Sequence, residues 1–177
     1  MQQYIALLRG INVGGHRKVP MATLRQLMSD LNFKEVKTYI QSGNIIFLSD
    51  EKHTETQLAK IISNAILEEF GFEVPAVVKT ADAIKKAVEA NPFSAEPIET
   101  LHLTFLSEIP KPEDVAALDQ NSFAPDQFIT STSYAYLNIP GKYHKTKISN
   151  AFFEKKLNLS ATTRNWKTVL KLVELIK

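Results

Sequence analysis

The chain has 177 residues, 44% of them hydrophobic, with a formal net charge of +2 and no cysteine. That is ample material for a buried core. It excludes disulfides, thiolate zinc sites, iron–sulfur clusters and cysteine nucleophiles, and so small a charge does not demand a polyanionic partner. The N-terminus, Met1-Gln2-Gln3-Tyr4, has no basic leader region, and no apolar run is long enough to cross a bilayer, so the expected setting is cytoplasmic, with no membrane partner.

Tyr4-Ile5-Ala6-Leu7-Leu8 is short and apolar and reads as a buried strand. Pro20, followed by Leu24, Leu27, Met28 and Leu31 at helical spacing, predicts a helix over 21–31. Two β-rich runs, Val36 to Ile40 and Ile45 to Leu48, are joined by Gln41-Ser42-Gly43-Asn44, a hairpin connection. A longer helix is predicted from Thr54 to Phe70, with Leu58, Ile61, Ile62, Ala65 and Ile66 on one face and Gly71 as its stop. Glu73 to Val78 is the next strand. The order βαββαβ is that of the ferredoxin-like split unit. In that unit the loop after the first strand, the hairpin and the turn at 70–73 emerge from one end of the sheet, so they are expected to be neighbours.

The second half echoes the first. It reads as a helix over 80–90, a strand at 101–106, a short helix at 112–118 and a hairpin built from 128–130 and 134–137. Helices over 146–157 and 163–176 close the chain. The expected architecture is therefore α+β: a ferredoxin-like half, 1–79, with an antiparallel sheet, packed as one compact body with a related half, 80–177, that ends in two helices. A degenerate structural repeat follows as an expectation.

The segment Arg9-Gly10-Ile11-Asn12-Val13-Gly14-Gly15, with Lys18 close behind, holds three of the six glycines. Glycine lets backbone N–H groups converge, and a following helix N-terminus favours anions. The spacing is neither that of a P-loop nor that of a dinucleotide fingerprint, and a tight turn alone would also account for the glycines. In the ligand-binding reading, Arg9 and Lys18 carry the charge and Gly10, Gly14 and Gly15 donate N–H groups. Asn12, Gln41, Ser42 and Asn44 orient a small anionic ligand, phosphorylated or nucleotide-like. Ser42 lacks the glycine elbow of a nucleophile.

Thr162-Thr163-Arg164-Asn165-Trp166 is expected to open the last helix, with Trp166, Val169, Leu170, Val173 and Ile176 in the core. An arginine in a first helical turn opposes the helix dipole, which points to an anionic partner for Arg164. Whether Arg164 or the basic loop 141–147 approaches the glycine-rich loop is not written in the sequence. Tyr143 and Lys147 are spaced one helical turn apart, as in short-chain dehydrogenases. Without a dinucleotide fingerprint they read as part of a mobile basic loop. The four histidines share no ligand spacing, so no metal site is expected, and the dispersed carboxylates give no acid–base pair.

Three blocks carry a family resemblance: Tyr4–Gly15 with its continuation Lys18-Val19-Pro20-Met21, then Thr38-Tyr39-Ile40-Gln41-Ser42-Gly43-Asn44, and Thr162 to Trp166. In order and wording they resemble a mainly bacterial family catalogued as domain of unknown function 1697. Thr146-Lys147-Ile148-Ser149 departs from the Ser-Lys-Leu-Thr-like wording of that family. The resemblance implies a fold and a compartment; it carries no activity, catalytic residue or cofactor. Two other readings stand beside ligand binding. One is a nucleic-acid module displaying Tyr4 and Phe47 on its sheet, which the two-sided apolar strands and near-neutral charge oppose. The other is a protein-interaction module without catalysis.

Overall fold

The computed structural model describes residues 1–50 and 52–176 and divides them into two compact units, Met1–Ile84 and Lys85–Leu175. In the first, β1 (Gln2–Leu8), α1 (Met21–Asp30), β2 (Lys34–Tyr39), β3 (Asn44–Ser49), α2 (Glu55–Phe70) and β4 (Ala76–Thr80) follow the expected βαββαβ order. Their sheet is antiparallel, with strands ordered β2-β3-β1-β4. The uninterrupted apolar runs of β1 and β3 sit at its centre, where both faces are buried. One face (Tyr4, Ala6, Leu8, Ile45, Phe47 and Val78) packs in a core with Leu24 and Met28 of α1 and Leu58, Ile62 and Ile66 of α2. Thr54 caps α2 through a reciprocal capping box with Gln57, and Gly71, left-handed at φ +76°, ends it.

The second unit repeats the plan. After α3 (Ala81–Glu89) and a 3-10 turn at Ile98–Thr100 come β5 (Leu101–Leu106), α4 (Pro112–Ala116), β6 (Gln127–Ser131), β7 (Tyr134–Asn138), α5 (Asn150–Leu157), β8 (Ala161–Asn165) and α6 (Trp166–Leu175). The sheet order is β6-β7-β5-β8. Ala6 faces Val78 across β1 and β4, as Thr104 faces Thr163 across β5 and β8. Individual hydrogen bonds recur as well. Leu8 N–H donates to Gly43 O at 2.8 Å and Leu106 N–H to Ser133 O at 2.9 Å, while Arg9 N–H reaches Pro75 O at 3.0 Å and Ser107 N–H reaches Ser160 O at 2.8 Å. Each closing strand runs straight into a helix capped by its own last residue: Thr80 Oγ1 accepts from Ala83 N–H, and Asn165 Oδ1 from Thr168 N–H. The expected repeat is present as a βαββαβ unit with a trailing helix, made twice.

Three sequence expectations are corrected. Residues 161–165 form the edge strand β8, so Thr163 and Arg164 do not open a helix; the helix starts at Trp166. The predicted helix over 146–157 begins only at Asn150, capped by Ser149, and 143–145 is a 3-10 turn. In α6 the buried residues are Trp166, Thr168, Val169 and Leu172, whereas Leu170 is exposed and Val173 half-buried.

Gly43 is the most closely packed glycine of the first unit. Its φ is +80°, and a Cβ there would lie 2.6 Å from Leu8 Cβ and 2.9 Å from Ile11 Cδ1. Gly71 shares the left-handed backbone but has open space around it. Gly71→Ala is therefore expected to cost about 1 kcal/mol, the left-handed penalty alone. Gly43→Ala adds overpacking and is expected to cost about 2–4 kcal/mol. Urea denaturation of the two variants checks this, and equal costs would remove the close-approach argument.

Candidate functional site

Chain topology brings the glycine-rich loop to the β2–β3 hairpin, and one asparagine joins them. Asn12 holds a left-handed φ of +54°. Its Nδ2 donates to Val19 O at 3.0 Å and to Gln41 O at 2.8 Å, while its Oδ1 accepts from Val19 N–H at 2.8 Å. Both amide donors are thereby spent on the fold. Asn44 behaves alike: fully buried, its Nδ2 donates to Tyr39 O and to Ser42 Oγ, both at 3.0 Å. These two amides position the loops rather than offering themselves to a ligand.

Between Asn12 and Lys18 the chain makes a small hairpin of its own. His16 N–H donates to Val13 O at 3.0 Å and Asn12 N–H to Arg17 O at 3.1 Å. Gly14 and Gly15 occupy the two central positions at φ +57° and +77°, the primed turn that demands glycine. Their conformation thus has a structural reason, but the hairpin contributes little to the core. Val13, Gly14, Gly15, His16, Arg17 and Lys18 are all exposed, and only Ile11 and Val19 at its ends are buried. Arg17 folds back over Gly10, its guanidinium 3.7 Å from where a Cβ would stand. Neither Arg17 nor Lys18 pairs with a carboxylate among the described residues. In the sequence Arg17 reads only as part of the basic cluster His16-Arg17-Lys18, a possible anion patch, and not as a site residue of its own.

The structure thus brings Arg9, Gly10, Asn12, Gly14, Gly15, Lys18, Gln41, Ser42 and Asn44 to one end of the first sheet. Arg164 belongs to the second unit. It is 8% exposed on β8, opposite Leu103, and its Nη1 donates to Thr162 Oγ1 at 2.8 Å and Thr163 O at 3.0 Å. Burial pushes its pKa down to about 10 against a favourable interaction with Tyr143, which leaves it protonated at neutral pH. The helix-dipole argument for its partner falls with the helix turn. Its topological counterpart on β4 is Lys79, 2% exposed and 3.4 Å from Glu55. The loop 141–147 is pinned: Tyr143 stacks on His102 at 4.6 Å between centroids, and Thr146 Oγ1 donates to Asp126 Oδ2 at 2.6 Å. Thr146 is extended, so Tyr143 and Lys147 do not share a helical face.

In the sequence His102 is weighed only as a possible metal ligand, together with the other three histidines. Its Nδ1 lies 3.3 Å from Thr100 O, an acceptor, so Nδ1 carries the proton in this bond. Four clefts elsewhere, of about 200–400 Å³ (around Ile109, Ser63, Ser122 and Met1), include no residue of the glycine-rich loop. No group of three His, Asp or Glu among the described residues is arranged to hold a metal. Nor is any helix among them long and apolar enough to cross a membrane.

These features define an α+β protein made of two ferredoxin-like repeats with a stapled, basic loop edge on the first. The chain belongs to the family described as Protein of unknown function (DUF1697), whose profile matches residues 1–136. It is also similar to the conserved bacterial protein SP0830 from Streptococcus pneumoniae, with a TM-score of 0.78, 24% identity and 99% of each chain covered. At that identity the likeness shows the fold alone. No curated protein matches the chain at a significant level.

Two outcomes follow from this geometry. Asn12→Gly keeps the left-handed backbone and removes the staple. It is expected to speed amide exchange across 10–19 while lowering global stability by only about 1–2 kcal/mol. Unchanged exchange there would mean that the staple is not what holds the loop. For His102, burial lowers the pKa below its ordinary 6.5 against the opposing bond to Thr100 O. The unfolded chain then holds this proton more tightly, so the imidazole's contribution to stability is intact above pH 6.5 and is lost as pH falls through the folded value. His102→Phe preserves a ring on Tyr143 and is expected to flatten the decline of Tm between about pH 7 and pH 5.

Proposed function

We propose that the protein binds a small anionic ligand, phosphorylated or nucleotide-like, at the loop edge of its N-terminal half. The observation that carries this reading is the contrast between the two repeats. The first strand is joined to its helix by residues 9–20 in the first half and by only 107–111 in the second, although both connections begin with equivalent hydrogen bonds. The longer connection is spent on an exposed hairpin that carries Arg17 and Lys18, two cations without a carboxylate partner among the described residues, and that Asn12 ties to Gln41. A surface elaboration that adds charge without adding core serves recognition rather than stability. In this reading Arg9, Arg17 and Lys18 supply charge, Gly10, Gly14 and Gly15 supply backbone N–H groups, and Gln41 and Ser42 supply polar contacts. Asn12 and Asn44 hold the walls in place. The absence of cysteine supports a cytoplasmic setting for this binding.

An RNA platform is disfavoured because Tyr4 is 3% and Phe47 0% exposed, so neither ring is displayed for base stacking. A thermal-shift screen with nucleotides, sugar phosphates and short oligonucleotides at two salt concentrations tests the reading. A mononucleotide or sugar phosphate is expected to raise Tm, by mass action on the folded state. The Arg17→Ala/Lys18→Ala double variant is expected to reduce that shift with its unliganded Tm unchanged. A shift undiminished in the double variant would place the ligand elsewhere, and one given only by oligonucleotides would favour the nucleic-acid reading.

A further inference from the structure

The internal repeat allows each buried position of one half to be compared with its counterpart in the other. On the helix-covered face of the first sheet, β1 and β4 contribute Tyr4, Ala6 and Val78, all in the apolar core. The equivalent positions of the second sheet are His102, Thr104 and Thr163. Apolar packing is thus replaced by polar groups at three adjacent sites, and burial of polar groups costs free energy unless each is satisfied. The threonines are satisfied, in a directed chain: Thr104 Oγ1 donates to Thr163 Oγ1 at 2.7 Å, and Thr163 Oγ1 donates to Asn150 Oδ1 at 2.7 Å. His102 is not fully used. With Nδ1–H engaged by Thr100 O, its Nε2 is a lone-pair acceptor; it makes no hydrogen bond among the described residues and is not sealed from solvent.

The segment that packs on that imidazole is cationic. Tyr143, stacked on the imidazole, lies in the segment Lys142-Tyr143-His144-Lys145-Thr146-Lys147. Tyr143 and Thr146 are its half-buried anchors, and Lys142, His144, Lys145 and Lys147 project into solvent without a carboxylate partner among the described residues. Asp126, the carboxylate that meets this segment, is engaged by the Thr146 hydroxyl. A ligand that complements this arrangement must be an anion and must also donate a hydrogen bond to Nε2. Carboxylates and sulfate are acceptor-only near neutral pH. Free phosphate keeps a proton beside its negative charge across neutral pH, and a monoester, with its second pKa near about 6, keeps one on the acidic side of neutrality.

We propose that the end of the second sheet where His102 stacks on Tyr143, beside the cationic segment 142–147, is a binding site for hydrogen phosphate, free or as a monoester. In the complex one proton lies between Nε2 and a phosphate oxygen, and the remaining oxygens face the lysines. Sulfate brings no proton, so the same contact would require a charged imidazole in a half-buried position, which burial opposes.

The test is an NMR titration of the His102 imidazole in the full-length protein at pH 6.5, with inorganic phosphate and with sulfate at matched ionic strength. Saturable movement of the His102 signals with phosphate, and apparent affinity for sulfate weaker by about tenfold or more, is expected from the hydrogen bond to Nε2 that sulfate cannot make. Equal responses to both anions would reduce the effect to a lysine counter-ion atmosphere, and no response to either would remove the site; both results overturn the proposal. His102→Phe keeps a ring against Tyr143 and is expected to abolish the preference for phosphate, while Arg17→Ala/Lys18→Ala leaves it intact. The wild-type comparison decides even if His102→Phe fails to fold. Because that double variant removes only the N-terminal site, the two readings fail separately.

Discussion

The hydrogen bond from Leu8 N–H to Gly43 O is the constraint on which the loop edge depends. It extends the β1–β3 ladder one step beyond the strands and sets the hairpin turn directly against Leu8 and Ile11. That contact tolerates no Cβ at residue 43. With the turn so close, the Asn12 amide can reach Gln41 O and Val19 O together, and the exposed hairpin 12–17 becomes a fixed projection. Charge presented on a fixed element costs less ordering entropy on binding than charge on a free loop. The second half makes the equivalent bond, Leu106 N–H to Ser133 O, but has only a short connection above it.

Where hydrophobic pattern decided structure, the sequence was legible. The βαββαβ order of the first half followed from β1 and β3 being apolar on both faces, from the 3.6-residue stripe of α2 and from Gly71 at its end. The neighbourhood of the glycine-rich loop and Gln41–Asn44 followed from topology alone. The edge strand β8 was not legible. Thr162-Thr163-Arg164-Asn165 runs into Trp166 without a glycine or proline, so the helical stripe of α6 absorbed it. The same direct join occurs at Thr80-Ala81, where apolar β4 made the strand visible.

Site residues were legible as types but not as roles. Asn12 and Asn44 read as ligand contacts because they are amides in loops; hydrogen bonds to Gln41 O across the loops and to Tyr39 O within the hairpin made them staples. Arg164 read as a helix-terminal cation and is instead a buried strand residue, matched by Lys79 at the corresponding point of the first half. His102 carried no local signal whatever. Its distinction appears only when the two sheets are laid over one another and its counterpart is seen to be Tyr4. The two halves therefore share a backbone plan and differ at their polar positions: the first elaborates a loop, the second polarises a core face.

The central claim is that the first half's loop edge receives a small phosphorylated anion. It is tested most directly by backbone amide shift mapping of the whole chain against a mononucleotide at low ionic strength. The account predicts saturable shifts clustered at Gly10, Gly14, Gly15, Lys18 and Gln41, with the helix-covered core unmoved. Saturable binding that leaves those five amides in place would contradict it.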